Sequence, residues 1–428
     1  MKQGWEIKKL GEVSEILNGG TPKTNITEYW DSDIHWITPA DLGKLRKPTV
    51  DDTPRKITRL GLEKSSAKLF PINSVVLSTR APIGHLAINE VPMSTNQGCR
   101  GIIPSKKLDT WYLFYFLKKN VELLDSLGTG ATFKELSTKS LSGVEIPIPP
   151  LPEQQRIVSI LDKCFVAIDK AKANAEQNLK NAKELFESYL QGVFEKLFDE
   201  RERKNISEVA KVIGGYSFKS GDFKKEGKYQ VIRMGNVRPG IIRENESPVF
   251  IDELDEKALS KALLIPKDVI ITQTGTKNKR DYGFTVIIEK ENYLLNQRIA
   301  AIRFSKEFLP EFFLYFSWTN IFKDQYFANE TGTVGQGNVG IRAITDSQVP
   351  SIPLKEQQTI VRQLDALRAE TQKLEAVYQK KIADLEELKK SILQKAFAGE
   401  LRSPEGAVSA NDGYSPSKKE NKKSPERV

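Results

Sequence analysis

The chain repeats itself once, end to end, and no other feature limits its possible folds so tightly. Leu151-Pro152-Glu153-Gln154-Gln155-Arg156-Ile157-Val158 returns as Leu354-Lys355-Glu356-Gln357-Gln358-Thr359-Ile360-Val361, with Glu153 and Glu356 203 positions apart. Further on, Ser188-Tyr189-Leu190-Gln191-Gly192-Val193-Phe194 returns as Ser391-Ile392-Leu393-Gln394-Lys395-Ala396-Phe397, again 203 positions apart. A continuous helix demands such a gapless register, because one inserted residue rotates everything after it by about 100°.

Apolar and small residues in these segments alternate at spacings of four and three, the seam of a coiled coil. The first seam reads Ile157, Leu161, Cys164, Ile168, Ala171, Ala175, Asn178, Ala182, Leu185 and Tyr189. The second reads Ile360, Leu364, Leu367, Thr371, Leu374, Tyr378, Leu385, Leu388 and Ile392, with Ile382 bridging a gap near Lys381. Pro150, Pro152 and Pro353 stand at the helix starts, where proline is tolerated. Two helices spanning roughly 65–70 Å each are expected, over 153–198 and 356–401. Antiparallel pairing would bury both seams and relate the halves by a pseudo-two-fold axis. The alternative is two independent amphipathic helices, each packed on its own domain.

The segments preceding the helices correspond more loosely. Leu10-Gly11-Glu12-Val13 matches Ile206-Ser207-Glu208-Val209, and Gly19-Gly20 matches Gly214-Gly215. Asn96-Gln97 matches Asn296-Gln297, Leu113–Phe116 matches Phe313–Phe316, and Thr129-Gly130 matches Thr331-Gly332. The offset drifts, so loops differ in length between the copies. Ser74–Thr79, Asp268–Gln273, His35–Thr38 and Gln230–Arg233 read as strands. The aromatic runs Trp111–Phe116 and Phe312–Trp318 read as one short buried helix per unit. The fold class is therefore α+β: two globular units separated by two long coiled-coil helices. The divisions fall at 1–150, 151–199, 200–352 and 353–402. A tail over 403–428, rich in Pro, Ser and charge, is expected to be disordered.

The formal net charge is +9, from 65 basic and 56 acidic residues. This mild excess fits a nucleic-acid binder. No apolar run reaches the length of about 18 residues that a membrane span needs, so no membrane partner is expected. Met1-Lys2-Gln3-Gly4-Trp5 lacks the apolar stretch of a secretion signal. Cys99 and Cys164 lie far apart, which suits the reducing cytoplasm and supplies no disulfide framework. With only His35 and His85 beside them, they make a poor metal set.

The opening Gly4-Trp5-Glu6 through Val13, the run Ile146–Val158 and the run Leu388–Leu401 resemble the specificity subunits of type I restriction–modification systems. The resemblance covers nearly the whole chain. It implies two target-recognition domains, each reading one half of a split site in double-stranded DNA. It further implies that the helices set the spacer and dock two methyltransferase subunits, which methylate adenine using S-adenosylmethionine. Motor–nuclease subunits using ATP and magnesium would join them, leaving this chain without a cofactor or catalytic site. Lys355 stands where the first copy has Pro152, a departure that bears on equal docking at the two ends.

Catalytic motifs do not stand out. Ile148-Pro149-Pro150-Leu151 lacks the polar first and aromatic last residues of an adenine methyltransferase motif. Gly335-Gln336-Gly337-Asn338-Val339-Gly340 lacks the lysine of a phosphate-binding loop. Asp31/Asp33 and Asp51/Asp52 read as turn residues and solvated acids. Direct readout favours Arg to guanine and Asn or Gln to adenine, while Lys, Ser and Thr hold phosphates. In Gly-marked loops this selects Thr21, Lys23, Thr24, Lys44, Arg46, Thr79 and Arg80 in the first unit. In the second it selects Ser217, Lys219, Arg233, Asn236, Thr274, Lys277, Lys279 and Arg280. Taken singly, each reads more readily as a solvated surface residue. Asn96-Gln97 and Asn296-Gln297 recur in both units, so they suit a structural or phosphate role rather than base reading. Two alternatives remain at this point: a stand-alone two-headed DNA-binding regulator, and a nuclease with its site hidden in one unit.

Overall fold

A computed structural model describes residues 4–80, 82–130, 134–333 and 335–401. The tail expected over 403–428 lies outside the described residues. Residue contacts divide the chain into a first unit, 1–174 with 381–428, and a second unit, 175–380. Each unit owns one globular segment and half of each long helix.

In the first unit, a five-stranded sheet has the order Ser14–Asn18, Cys99–Pro104, Val75–Ser78, Leu86–Asn89, Thr49–Val50. A second sheet orders Arg55–Ile57, Trp30–Ile37, Met93–Thr95 and ends in a parallel pair. The second unit repeats this plan. Its larger sheet runs Ala210–Gly214, Ile299–Phe304, Val269–Thr272, Thr285–Ile287, and its smaller one Phe250–Ile251, Tyr229–Ile232, Tyr293–Leu295, again with a parallel last pair. The central strands Val75–Ser78 and Val269–Thr272 are buried at every position. Burial on both faces explains why they read as unbroken β-branched runs rather than alternating ones.

Two short aromatic helices and two long ones pack against these sheets. Helix α1 (Thr110–Lys119) is capped by Asp109, which accepts from the Tyr112 amide at 3.0 Å. Helix α2 spans Leu151–Glu200, α3 spans Pro310–Ser317, and α4 spans Leu354–Ala398. Both long helices begin two residues before the expected start: Pro152 sits in the first turn of α2, where a missing N–H costs no intrahelical bond, and Pro353 immediately precedes α4.

One buried glutamine at the base of each long helix explains part of the repeated motif. Gln154 donates to the carbonyls of Lys107 and Pro149 and accepts from the Asp109 amide. Gln357 donates to the carbonyls of Glu307 and Ile352 and accepts from the Leu309 amide. Each side chain therefore satisfies three backbone groups in an interior where an unmade bond is costly.

The core of the first unit joins Val75, Leu77 and Ile102 of the sheet to Tyr112 and Phe116 of α1, Ile157 and Leu161 of α2, and Leu393 and Phe397 of α4. That of the second joins Val269, Ile271 and Ile302 to Phe312 and Phe316 of α3, Leu190 and Phe194 of α2, and Leu364 of α4. In the first unit the helices run antiparallel: Arg156 donates to the Leu401 carbonyl, Asp169 pairs with Lys389, and Lys172 pairs with Glu386 at 2.5 Å. In the second, Arg201 just past the end of α2 bonds Glu356 in the first turn of α4, the same sense.

The seam differs from expectation in the later half of each helix. Leu185 and Tyr189 are exposed, while Leu190, Phe194 and Leu197 are buried. In α4, Leu374 and Leu388 are exposed, while Leu393, Ala396 and Phe397 are buried. A strict seven-residue repeat drifts about 20° per heptad against a straight helix. Over four heptads the drift approaches one residue's rotation, which moves the buried stripe from 189 to 190 and from 392 to 393.

Candidate nucleic-acid interface

Two glycines set the geometry of the loops that carry Thr21, Lys23 and Thr24 in the first unit and Ser217 and Lys219 in the second. A Cβ on Gly19 would lie 1.8 Å from the Asn96 carbonyl oxygen, and one on Gly215 would lie 1.9 Å from that of Asn296. Only glycine permits these approaches. The amide of Gly20 then donates to the Thr95 carbonyl at 2.8 Å, and that of Tyr216 to the Leu295 carbonyl at 3.0 Å. Gly19 thus corresponds to Gly215 and Gly20 to Tyr216, one place off the pairing read from sequence.

The close approach puts a hydroxyl on each repeated glutamine. Thr21 Oγ1 donates to Gln97 Oε1 at 2.5 Å, and Ser217 Oγ donates to Gln297 Oε1 at 3.2 Å. All four side chains are exposed. Neither glutamine's NH2 makes a hydrogen bond among the described residues, so each can donate to a phosphate oxygen, a contact that carries no sequence information.

In the first unit the network continues. The Gln97 carbonyl accepts from Arg100 Nη1 at 2.8 Å, Arg100 Nη2 reaches Glu135 Oε1 at 3.5 Å, and Glu135 Oε2 accepts from Arg80 Nη2 at 2.7 Å. The side chain of Arg100 is only 8% exposed and that of Arg80 41%. The Arg80 hydrogen bond, helped by the charges of both arginines, holds the Glu135 carboxyl below the usual carboxylate range. So Thr21 and Arg80, chosen separately from sequence, belong to one hydrogen-bonded surface.

The second unit has the same backbone frame and different chemistry. Leu136 N donates to Thr79 O in the first unit, and Val339 N donates to Gln273 O in the second. Arg80 therefore corresponds to Thr274, and Glu135 to Asn338. Thr274 Oγ1 faces Asn338 Oδ1 at 3.4 Å, a neutral pair where the first unit has ions. Nearby, Arg233, Asn296, Gln297 and Arg298 line a cleft of about 460 Å³. Arg298 stands where the first unit has Gly98. Its backbone is left-handed, at φ 70°, and its carbonyl accepts from Gln273 N at 2.9 Å. Such a conformation is unfavourable for a side chain of this size and persists because neighbouring bonds fix it.

Three sequence candidates are corrected. Thr79 is wholly buried, and its amide and hydroxyl both donate to the Gly98 carbonyl. Asn236 is 2% exposed and staples its own loop, accepting from Arg233 N and donating to the carbonyls of Arg243 and Glu246. Thr274 is 4% exposed, inside a strand pairing with Asn338. Short polar residues in tight loops satisfy buried backbone groups, which composition cannot distinguish from facing solvent.

The others lie at the surface. Lys23, Thr24, Lys44, Arg46, Lys219 and Lys279 are exposed. Among the described residues no hydrogen bond or ion pair joins Lys44 or Arg46 to the Thr21 network. Arg46 instead lines a separate cavity of about 600 Å³ with His85, Trp111 and Asp162. Lys277 Nζ donates to the Gly332 carbonyl at 3.3 Å, and Arg280 stacks 4.9 Å over Phe327. Sequence reading missed Arg100, Glu135 and Arg298. A signal for Arg298 was present: it breaks the repeat at the residue after Asn-Gln. Glu135 carried none, because its partners lie 35 and 55 positions away.

Cys99 and Cys164 are free thiols, and burial pushes the Cys99 thiol up. No described helix is long and apolar enough to cross a membrane.

A family model described as the type I restriction modification DNA specificity domain matches twice, over residues 2–180 and 199–384. The MjaIX specificity subunit of Methanocaldococcus jannaschii is 32% identical over 292 residues, covering 64% of this chain and 67% of that protein. The EcoKI specificity subunit of Escherichia coli is 25% identical over 422 residues, covering 94% and 90%. Among solved structures, the HsdS subunit from Thermoanaerobacter tengcongensis superposes with a TM-score of 0.60 at 19% identity, over 94% of this chain and 98% of that one. A chain from a study of complex assembly in the type I restriction–modification system gives 0.73 at 18% identity, over 94% and 99%. These two likenesses concern the fold.

Proposed function

The chain belongs to the type I restriction–modification DNA specificity family, and from that premise we propose that it selects the DNA on which a methyltransferase and restriction complex acts. The globular segment of each unit reads one half of a split site. Helices α2 and α4 fix the number of unread base pairs between the halves. They also dock two methyltransferase subunits, with motor–nuclease subunits joining for restriction. Chemistry belongs to those partners, which would bring S-adenosylmethionine, ATP and magnesium; this chain is non-catalytic.

One observation carries this reading. Two units of the same topology present the same Gly-fixed hydroxyl–glutamine pair, Thr21–Gln97 and Ser217–Gln297, beside positions whose chemistry differs. A shared phosphate grip with unlike neighbours is what two readers of different sequences on the same polymer require. Stiff connectors suit the task, because a spacing change of one base pair moves a half-site by about 3.4 Å and turns it by about 35°. The relatives are named as subunits of restriction enzymes, which weighs against a stand-alone regulator.

The test is methylation sequencing of DNA from cells that carry this chain with its methyltransferase subunits. A split motif with a modified adenine in each half is expected. An uninterrupted motif, or modification that does not depend on this chain, would refute the reading.

A further inference from the structure

We propose that Arg80 reads a guanine in the half-site of the first unit, and that Glu135 is the positioning residue that aims it. The inference rests on the reading of the chain as a DNA-specificity subunit and names one base contact within it.

An ion cluster sets the direction of Arg80. Glu135 is shared by two guanidinium groups, bonding Arg80 at 2.7 Å and meeting Arg100 at 3.5 Å. Arg100 is fully committed elsewhere: its Nε donates to Thr138 Oγ1 at 3.1 Å and its Nη1 to the carbonyls of Gln97 and Cys99. It is a buried strut, and it fixes Glu135 from behind. Arg80 is the outward member, with 41% of its side chain exposed. One N–H of its five is spent on the carboxylate, which leaves a planar fork of donors held at a set angle.

Glu135 also decides what that fork can meet. A phosphate approaching Arg80 would face a carboxylate already in contact with the guanidinium, and repulsion would cancel much of the attraction. A guanine edge is uncharged and offers two acceptors, N7 and O6, at the spacing of a guanidinium fork. The phosphate role falls instead to Gln97, whose amide donates to no carboxylate among the described residues. Pre-aiming by a carboxylate reduces the rotamer freedom an arginine loses on binding.

The repeat supplies the internal comparison. At the corresponding positions the second unit has Thr274 and Asn338, neutral and largely turned to each other. No guanidinium stands there, so a guanine requirement from this position belongs to one half of the site only.

The experiment compares the full assembly carrying Arg80→Ala, Arg80→Lys or Glu135→Gln with the unaltered one, by methylation sequencing in cells. The half assigned to residues 1–150 is expected to contain a guanine. Both Arg80 variants should accept other bases at that single position, with discrimination falling on the order of 10- to 100-fold. Glu135→Gln should relax the same position to a smaller degree, and the other half should stay unchanged. Arg80→Lys keeps the charge and guards against a folding defect, since it loses the fork alone; melting curves of the purified assembly check this. Unchanged preference at every position, or uniform weakening across the motif, would overturn the inference while leaving the reading of the chain intact. A parent protein that yields no split motif would instead remove that reading, and this inference with it.

Discussion

The Tyr115 hydroxyl donates to the Asp162 carboxylate at 2.5 Å, tying the aromatic helix α1 to the long helix α2. The pair has a twin: Tyr315 donates to Asp365 at 2.5 Å, tying α3 to α4. Burial, reinforced by Asp365, pushes the Tyr315 hydroxyl up to about 12, so it remains a donor at any physiological pH. Both tyrosine rings are buried, whereas Asp162 is exposed and keeps solvent when the bond is lost. Tyr115→Phe and Tyr315→Phe should each lower stability by about 1 kcal/mol, the net value of an ordinary hydrogen bond. Urea unfolding measures this, and unchanged midpoints would show that the bonds add nothing beyond packing.

The Glu-Gln-Gln motif should split sharply on mutation. Gln154→Leu and Gln357→Leu each leave one backbone N–H and two carbonyls without their partner, in buried or part-buried surroundings, at about 3 kcal/mol. Gln155 and Gln358 are exposed. Their Leu variants should stay within about 0.5 kcal/mol of the parent. Equal effects at neighbouring glutamines in a denaturation series would refute the clamp.

The last turns of the long helices fill cores built by other segments. Phe397 packs on Tyr112 and Phe116 at ring separations of 4.9 and 5.6 Å. Phe194 packs on Phe312 and Phe316 at 5.1 and 5.4 Å. Phe397→Ala and Phe194→Ala should each cost about 3–5 kcal/mol through the cavity left. Val166, 71% exposed on α2, should tolerate alanine within about 0.5 kcal/mol. Thermal unfolding of the three variants decides the matter.

Charge at the interface should register in salt dependence. Lys277 is half-buried, with its ammonium on the Gly332 carbonyl and no carboxylate partner among the described residues. Lys277→Ala should weaken DNA binding across all sequences and reduce the slope of log K against log salt by about one. An unchanged slope in a binding titration would remove Lys277 from the footprint.

How much of this was legible in the sequence depended on the range of the interactions. Helices declare themselves through local periodicity, and a gapless repeat at an offset of 203 residues set their register and extent. The strands at Val75–Ser78 and Val269–Thr272 were legible for the same reason, being short β-branched runs. The later seam was misplaced because a heptad template accumulates angular drift that local patterning does not reveal. Among the candidate contacts, Thr21 and Ser217 were selected through their glycines, and each bonds a repeated glutamine. Thr79, Asn236 and Thr274 were mistaken for surface groups because burial is a tertiary property. Arg80 was selected, but Glu135, which decides its role, could not be: their proximity exists only after the sheet has formed.

The central claim is that two readers of separate half-sites share one helical frame. Its most direct test replaces residues 1–150 with the corresponding segment of a different specificity subunit and sequences the methylation pattern of the host DNA. The account predicts that one half of the split motif changes while the other half and the spacer are kept. Alteration of both halves together, or of neither, would contradict it.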